Sequence, residues 1–213
     1  MPKITEERRD ARREQIIEAA RACVQEHGLE AVSMEMIIAK SGLSTGAVYR
    51  YFAGKDEIMT AAVTVALAGL AQVLAPVLAN PDPPPPPEFV GQLIAAGVAY
   101  GTGSGEVDLL QVSIHGWSHV QTDPKLKTAT LTAYQGMRDQ LAVAVKRWQA
   151  EGTIDPQADP AAIAQLITSI SLGFVAQRAL AGDADPMAHV AALKAITQSA
   201  SASEPKSKPQ VSA

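Results

Sequence analysis

The chain has 213 residues, 47% of them apolar and only 4% aromatic, with a net charge of −4. That length allows one large domain or two small ones, and an alanine-rich, aromatic-poor mixture favours close-packed helices over a β-sandwich. The acidic balance excludes a protein that coats nucleic acid through bulk charge, and the single cysteine, Cys23, excludes an internal disulfide and a cysteine-rich zinc site.

The first helix is predicted from about Thr5 to His27, where Ile16, Ala20, Cys23, Val24 and His27 recur at helical spacing before Gly28. Cys23 falls on that stripe and reads as a small buried hydrophobe. Arg8, Arg9, Arg12 and Arg13 cluster near the helix start, interleaved with Glu6, Glu7, Asp10 and Glu14. They are either a solvated face or phosphate contacts, and Arg12 and Arg13 are the two taken as DNA-binding candidates. Residues 1–60 carry nine basic and ten acidic groups, so any affinity for DNA must come from placement and not from total charge.

The stretch from Ser33 to Ile58 is the most informative. Ser33 can cap a short helix that ends at Gly42, a residue free to take positive φ. A capping box would place an acid at position 36, which is Met36; the acid is Glu35 instead. Leu43 plugs the turn, Ser44 is a second cap, and Thr45-Gly46-Ala47 form the first turn of the next helix. Small side chains there let a helix end approach base edges. Val48 and Phe52 are expected to face inward, with Tyr49 and Arg50 outward. Lys55 stands just before the acidic helix start Asp56-Glu57, where an ammonium and helix N–H groups could hold phosphate together. Two short helices joined by a tight turn make a helix-turn-helix, whose second helix enters a DNA major groove.

The run Leu43-Ser44-Thr45-Gly46-Ala47-Val48-Tyr49-Arg50-Tyr51-Phe52-Ala53-Gly54-Lys55-Asp56-Glu57-Ile58, with Ile16, Ile17, Ala20, Gly28 and Leu29 upstream, resembles the TetR family of transcriptional regulators. The motif resemblance covers roughly Arg12 to Leu67; beyond it only the helical layout matches. It implies that Thr45, Gly46, Ala47 and Arg50 read bases while Ser33, Ser44, Tyr49 and Lys55 hold phosphates. It also implies a symmetric dimer on a palindromic operator, and a pocket for a small-molecule effector.

From Ile58 to Pro81 no residue is charged, and a fourth helix is predicted from about Asp56 to Ala79. Thr60, Thr64, Gly69, Gln72 and Pro76 lower its transfer energy, so a buried core helix explains it better than a membrane span. The proline run Pro81–Pro87 is expected to stay outside any helix, as a stiff connector or a ligand for a proline-binding domain. A fifth helix follows from about Glu88 to Tyr100, then a glycine loop, Gly101-Thr102-Gly103-Ser104-Gly105, without the lysine and preceding strand of a phosphate loop. Further helices are predicted over about Val107–Val120, from Asp123-Pro124 to Gly152, from Asp159-Pro160 to about Ala181 and from Asp185-Pro186 to about Ala200. The tail Ser201–Ala213 is polar and expected to be disordered.

The resulting expectation is an all-α protein of about nine helices. A helix-turn-helix domain occupies 1–55, a helical ligand-binding and dimerisation domain 56–200, and a tail 201–213. Phe89, Tyr100, His115, Trp117, Tyr134 and Arg138 are the candidate ligand contacts. In the eighth helix Ile163, Leu166, Ile167, Ile170 and Phe174 form one apolar stripe and Leu172, Val175 and Ala179 a second, so Ile163, Ile167, Ile170 and Phe174, with Leu193, are candidates for the dimer interface. His115 and His119 share a helical face but lack a third firm ligand, so no metal and no cofactor is expected. The N-terminal residues are charged and lack a secretory pattern, which makes a reducing cytoplasm the expected compartment and no membrane the expected partner. An enzyme and a membrane-associated interaction protein remain as alternatives, the first short of a nucleophile–base pair.

Overall fold

The computed structural model describes residues 6–103 and 107–201, and among them there are nine helices and no strand. Helix α1 (Glu6–His27) leads into α2 (Met34–Ser41) and the short α3 (Thr45–Tyr49). Ser33 Oγ accepts from Met36 N at the start of α2, and Ser44 Oγ accepts from Ala47 N at the start of α3. The Glu35 carboxylate is held below the usual carboxylate range by its own backbone N–H and by the Ser33 hydroxyl, which donates to it. Gly42 closes α2 at φ 66°, a left-handed conformation that glycine adopts without a Cβ clash.

Helix α4 (Lys55–Leu78) is the spine. Its first turns, Ile58 to Ala62, belong to a core with Ile16, Ile17, Ala20, Ile37, Val48 and Phe52. Its last turns, Leu74 and Leu78, belong to a second core with Phe89, Leu141, Trp148, Ala164 and Phe174. The first core therefore runs past residue 55 to Ala62, and one continuous rod joins both cores.

Helices α5 (Pro86–Gly103), α6 (Leu109–Thr122), α7 (Pro124–Ala150), α8 (Pro160–Ala181) and α9 (Pro186–Ser201) complete the fold. Asp108, Asp123 and Asp159 accept N–H bonds at the starts of α6, α7 and α8, and Asp185 Oδ1 accepts from Met187 N at the start of α9. Two expectations are corrected here. The proline run does enter a helix: Pro86 and Pro87 open α5, where the missing N–H groups have no helical partner to lose. The first residues of the glycine run are also helical. Gly101 is buried in α5, and a Cβ there would come within 2.6 Å of Leu110 Cγ, so glycine permits the close approach of α5 and α6. The remainder of the glycine run, Ser104-Gly105, lies outside the described residues, as does the tail from residue 202.

Helices α4 and α8 are long and apolar enough to cross a membrane by length and composition. In this fold both pack against other helices, with 22% of the most apolar stretch of each buried. Helix α4 packs against α1, α5, α6 and α7, and α8 against α5, α6 and α7.

Candidate nucleic-acid interface and ligand cavity

The helix-turn-helix presents its second helix outward because Val48 and Phe52, 0% and 2% exposed, face the first core. That leaves Ser44, Thr45, Gly46, Tyr49 and Arg50 exposed and Ala47 half-buried on the outer side. Arg8, Arg12 and Arg50 surround a cleft of about 440 Å³ with Ser44, Ala47 and Tyr51 on its walls. Arg12 Nη1 donates to Gln15 Oε1 at 2.6 Å, and Gln15 Nε2 donates to Ser41 O at 2.7 Å, so Arg12 is aimed through a bond to the end of α2. Three guanidinium groups beside an exposed helix start suit phosphate oxygens. Arg8 belongs to the arginine cluster weighed for phosphate contact but was not one of the two chosen from it; it precedes Arg12 by four residues and so shares its face.

Three of the expected contacts are engaged inside the protein. The Arg13 guanidinium lies over the Phe52 ring, 5.2 Å from its centroid. The Ser33 proton is taken by Glu35. Lys55 Nζ donates to Leu29 O at 3.3 Å and Val32 O at 3.0 Å, tying the start of α4 to the turn between α1 and α2.

A second concavity, of about 180 Å³, lies among α1, α4, α5, α6, α7 and α8. Tyr100, His115, Trp117 and Tyr134 line it as expected of ligand contacts, with His119 one turn beyond His115. Phe89 and Arg138 do not. Phe89 is 0% exposed in the second core, edge-on to Trp148 with centroids 5.2 Å apart. Arg138 folds back along α7, its Nε donating to Tyr134 O at 3.4 Å. Most of the wall was not among the candidates, including the polar residues Arg21 and Thr130. A signal existed for each: Arg21 continues the buried register of Ile17 and Val24, and Thr130 sits midway between Leu126 and Tyr134 on one face of α7.

Arg21 is 4% exposed. Its guanidinium bonds Glu18 and Glu14, and Nη2 donates to Ala62 O at 3.2 Å, so a charge on α1 is neutralised on α1 and anchored to α4. Burial raises the Tyr134 hydroxyl above its ordinary pKa, opposed by a bond from the Trp117 indole, and burial likewise raises Tyr100. Asp123 is held low by the Thr60 hydroxyl, which donates to Oδ2 at 2.9 Å, and by the N–H groups of Leu126 and Lys125. Burial raises the Cys23 thiol, so it is an inert packing group. No group of three or more His, Cys, Asp and Glu side chains among the described residues is placed to hold a metal ion.

Helix α6 joins the cavity to the DNA-binding head. Asp108 N, at its start, donates to Gln25 Oε1 of α1 at 2.6 Å, and His115 faces Gly28 at the end of α1.

Two of the five candidate dimer residues face inward. Ile167 and Phe174, 4% and 1% exposed, are consumed by the protomer's own second core, and Ile163, Ile170 and Leu193 pack on it half-buried. The second stripe also turns inward, where Leu172 and Val175 line the cavity. The solvent side holds Leu166 (59%) and Leu180 (79%) on one face of α8, with Met187 (72%) and Ile196 (70%) on α9.

An exposed helix-turn-helix on an all-helical body with an internal cavity defines a DNA-binding regulator of transcription. The chain belongs to the TetR family: the model for bacterial regulatory proteins of the tetR family matches residues 16–62, and that for the C-terminal part of BetI-type transcriptional repressors matches residues 102–201. It is not an enzyme. The HTH-type transcriptional repressor Rv1474c of Mycobacterium tuberculosis is 33% identical over 91 residues, 38% of this chain and 49% of that protein. The HTH-type transcriptional repressor AcnR of Corynebacterium diphtheriae is 24% identical over 96% of this chain and 100% of its own length. The fold matches Salmonella enterica GusR with a TM-score of 0.69 at 20% identity, over 93% of this chain and 98% of that one.

Proposed function

We propose that this chain is a homodimeric transcriptional repressor of the cytoplasm. It reads a palindromic operator and leaves it when a small, largely hydrophobic effector fills the cavity. The observation that carries this reading is that α1, the helix behind the reading head, supplies Arg21 and Val24 to the cavity wall. An effector that fits one spacing of α1, α4 and α6 better than another shifts the population toward that spacing. A coupling of about 1–3 kcal/mol changes operator affinity by roughly 5–150-fold.

Thr45, Gly46, Ala47 and Arg50 reach base edges, while Ser44, Tyr49, Arg12 and Arg8 take phosphates. One five-residue helix reads too few bases to select a site, and a two-fold pair doubles them. The exposed apolar residues of α8 and α9 supply the surface for pairing, and the repressor names of the two relatives support repression over activation.

The test is selection of genomic fragments on the purified protein, with sedimentation in parallel. Recovery of inverted-repeat sites by a dimer is the expected result, and Leu180→Glu with Ile196→Glu gives a folded monomer that no longer retains those fragments. A wild-type chain that stays monomeric and ignores every duplex at low salt defeats the reading.

A further inference from the structure

Arg12 is exposed, yet its guanidinium is held in place. Its Nη1 donates to Gln15 Oε1 at 2.6 Å, and Gln15 Nε2 donates to Ser41 O at 2.7 Å. A guanidinium has donors only and a carbonyl is an acceptor only, so just one orientation of the Gln15 amide satisfies both bonds. Both ends of that amide rest on fixed structure. Gln15 precedes Ile16 and Ile17, each 0% exposed, which pin α1 at that point, and Ser41 is 5% exposed. The Ser41 carbonyl lies in the last turn of α2, where no N–H of its own helix can reach it, so Gln15 also caps that helix. Ser41 carries the tether onward. Its Oγ donates to Ile38 O at 2.9 Å and accepts from Leu43 N at 3.3 Å, in the turn just before the Ser44 cap of α3.

Arg8 and Arg50 share the cleft with Arg12, but neither makes a side-chain hydrogen bond among the described residues. None of the three guanidinium groups is paired with a carboxylate among those residues either, although Glu6, Glu7, Asp10 and Glu14 stand near Arg8 and Arg12 in sequence. All three charges attract any duplex. What separates them is order: a free arginine must be ordered when it meets a phosphate in a fixed register, and Arg12 is ordered beforehand.

We propose that Gln15 is a positioning residue for operator recognition: without touching DNA, it holds the Arg12 guanidinium in register with the reading helix and so favours the operator over other duplexes. This rests on the reading of Arg12 as a phosphate contact. Such a contact carries no base information, but it fixes how the protein sits on the duplex. The path from Arg12 through Gln15 and Ser41 to Leu43 makes the charge on α1 and the start of α3 one body, so the phosphate contact and the base-reading residues arrive together. On a duplex without the site the guanidinium follows whichever phosphate is near, and its prior order gains little.

The full-length protein is titrated against an operator fragment recovered by genomic selection and against a scrambled duplex of equal length and composition, from about 50 to 400 mM salt. Gln15→Met keeps the reach of the side chain and removes both bonds. Its operator affinity falls by about 2–12-fold for each subunit, the worth of ordering one long side chain. Its affinity for the scrambled duplex changes by less than about twofold, and its salt slope is kept because the charge is still present. Arg12→Met instead weakens binding to both duplexes and lowers the slope by about 0.9 per subunit. In the Arg12→Met background, adding Gln15→Met costs no further operator affinity. Equal losses on both duplexes, or the same operator loss with and without Arg12, show a mere brace for α2 and overturn the proposal. So does a Gln15→Met protein with the operator preference of wild type. If Arg12→Met leaves the slope unchanged, Arg12 is not a phosphate contact, and the inference fails with that reading.

Discussion

Lys55 is open to two physical roles that one substitution separates. A lysine at a helix start beside DNA can hold a phosphate, yet here its ammonium holds the Leu29 and Val32 carbonyls at 3.3 and 3.0 Å. Lys55→Met keeps the aliphatic stem and removes both bonds. A hydrogen bond to a charged group contributes about 1.5–3 kcal/mol when buried. Lys55 is half-exposed, and water replaces part of that, so about 0.5–1 kcal/mol for each bond is reasonable, or about 1–2 kcal/mol together. For a chain of this size the melting temperature falls by about 2–8 °C. Losing a phosphate contact instead lowers the slope of log affinity against log salt by about 0.9 per contact. Thermal denaturation and operator titrations across salt, from about 50 to 400 mM, measure both quantities. The tether predicts a lower melting temperature with the salt slope unchanged. Arg12→Met and Arg50→Met should do the reverse, because both side chains are exposed at the cleft. A Lys55→Met protein that melts like wild type and has lost about 0.9 of slope per subunit refutes the reasoning.

Trp148 is 0% exposed, and its indole N–H donates to Pro84 O at 3.0 Å, with Pro83 O at 3.4 Å, so it clamps the proline run to α7. Trp148→Phe removes that donor and leaves a void, and urea unfolding should report a loss of about 2–3 kcal/mol; under ~0.5 kcal/mol the clamp is unimportant. The bond from Thr60 to Asp123 joins α4 to α7 and depresses the carboxyl pKa. A depressed carboxylate contributes stability that is complete above its unfolded pKa of about 4 and is lost as pH falls through its folded value. Thr60→Val should therefore be less stable than wild type at neutral pH, with the gap closing on acidification; a gap that holds constant or widens in acid points to packing instead.

Local chemistry made much of this protein legible in its sequence. Helix caps act within three residues, so Ser33, Ser44, Asp123 and Asp159 marked their helices without reference to the rest of the chain. The reading helix was legible for the same reason: Val48 and Phe52 face inward because their spacing leaves no other face apolar. What the sequence left open were choices between equivalent local options. Helix α8 carries two apolar stripes, and only packing against α5, α6 and α7 decided that Ile167 and Phe174 enter the second core, that Leu172 and Val175 line the cavity, and that Leu166, predicted with the first stripe, meets solvent. Lys55 looks like a phosphate ligand until the turn 26 residues earlier places two carbonyls against it. Phe89 and Tyr100 are both aromatics of α5, yet one meets Trp148 and the other meets the cavity. Thr130 looks like any helical threonine, yet it borders a cavity assembled from six helices, and no local pattern encodes an empty space.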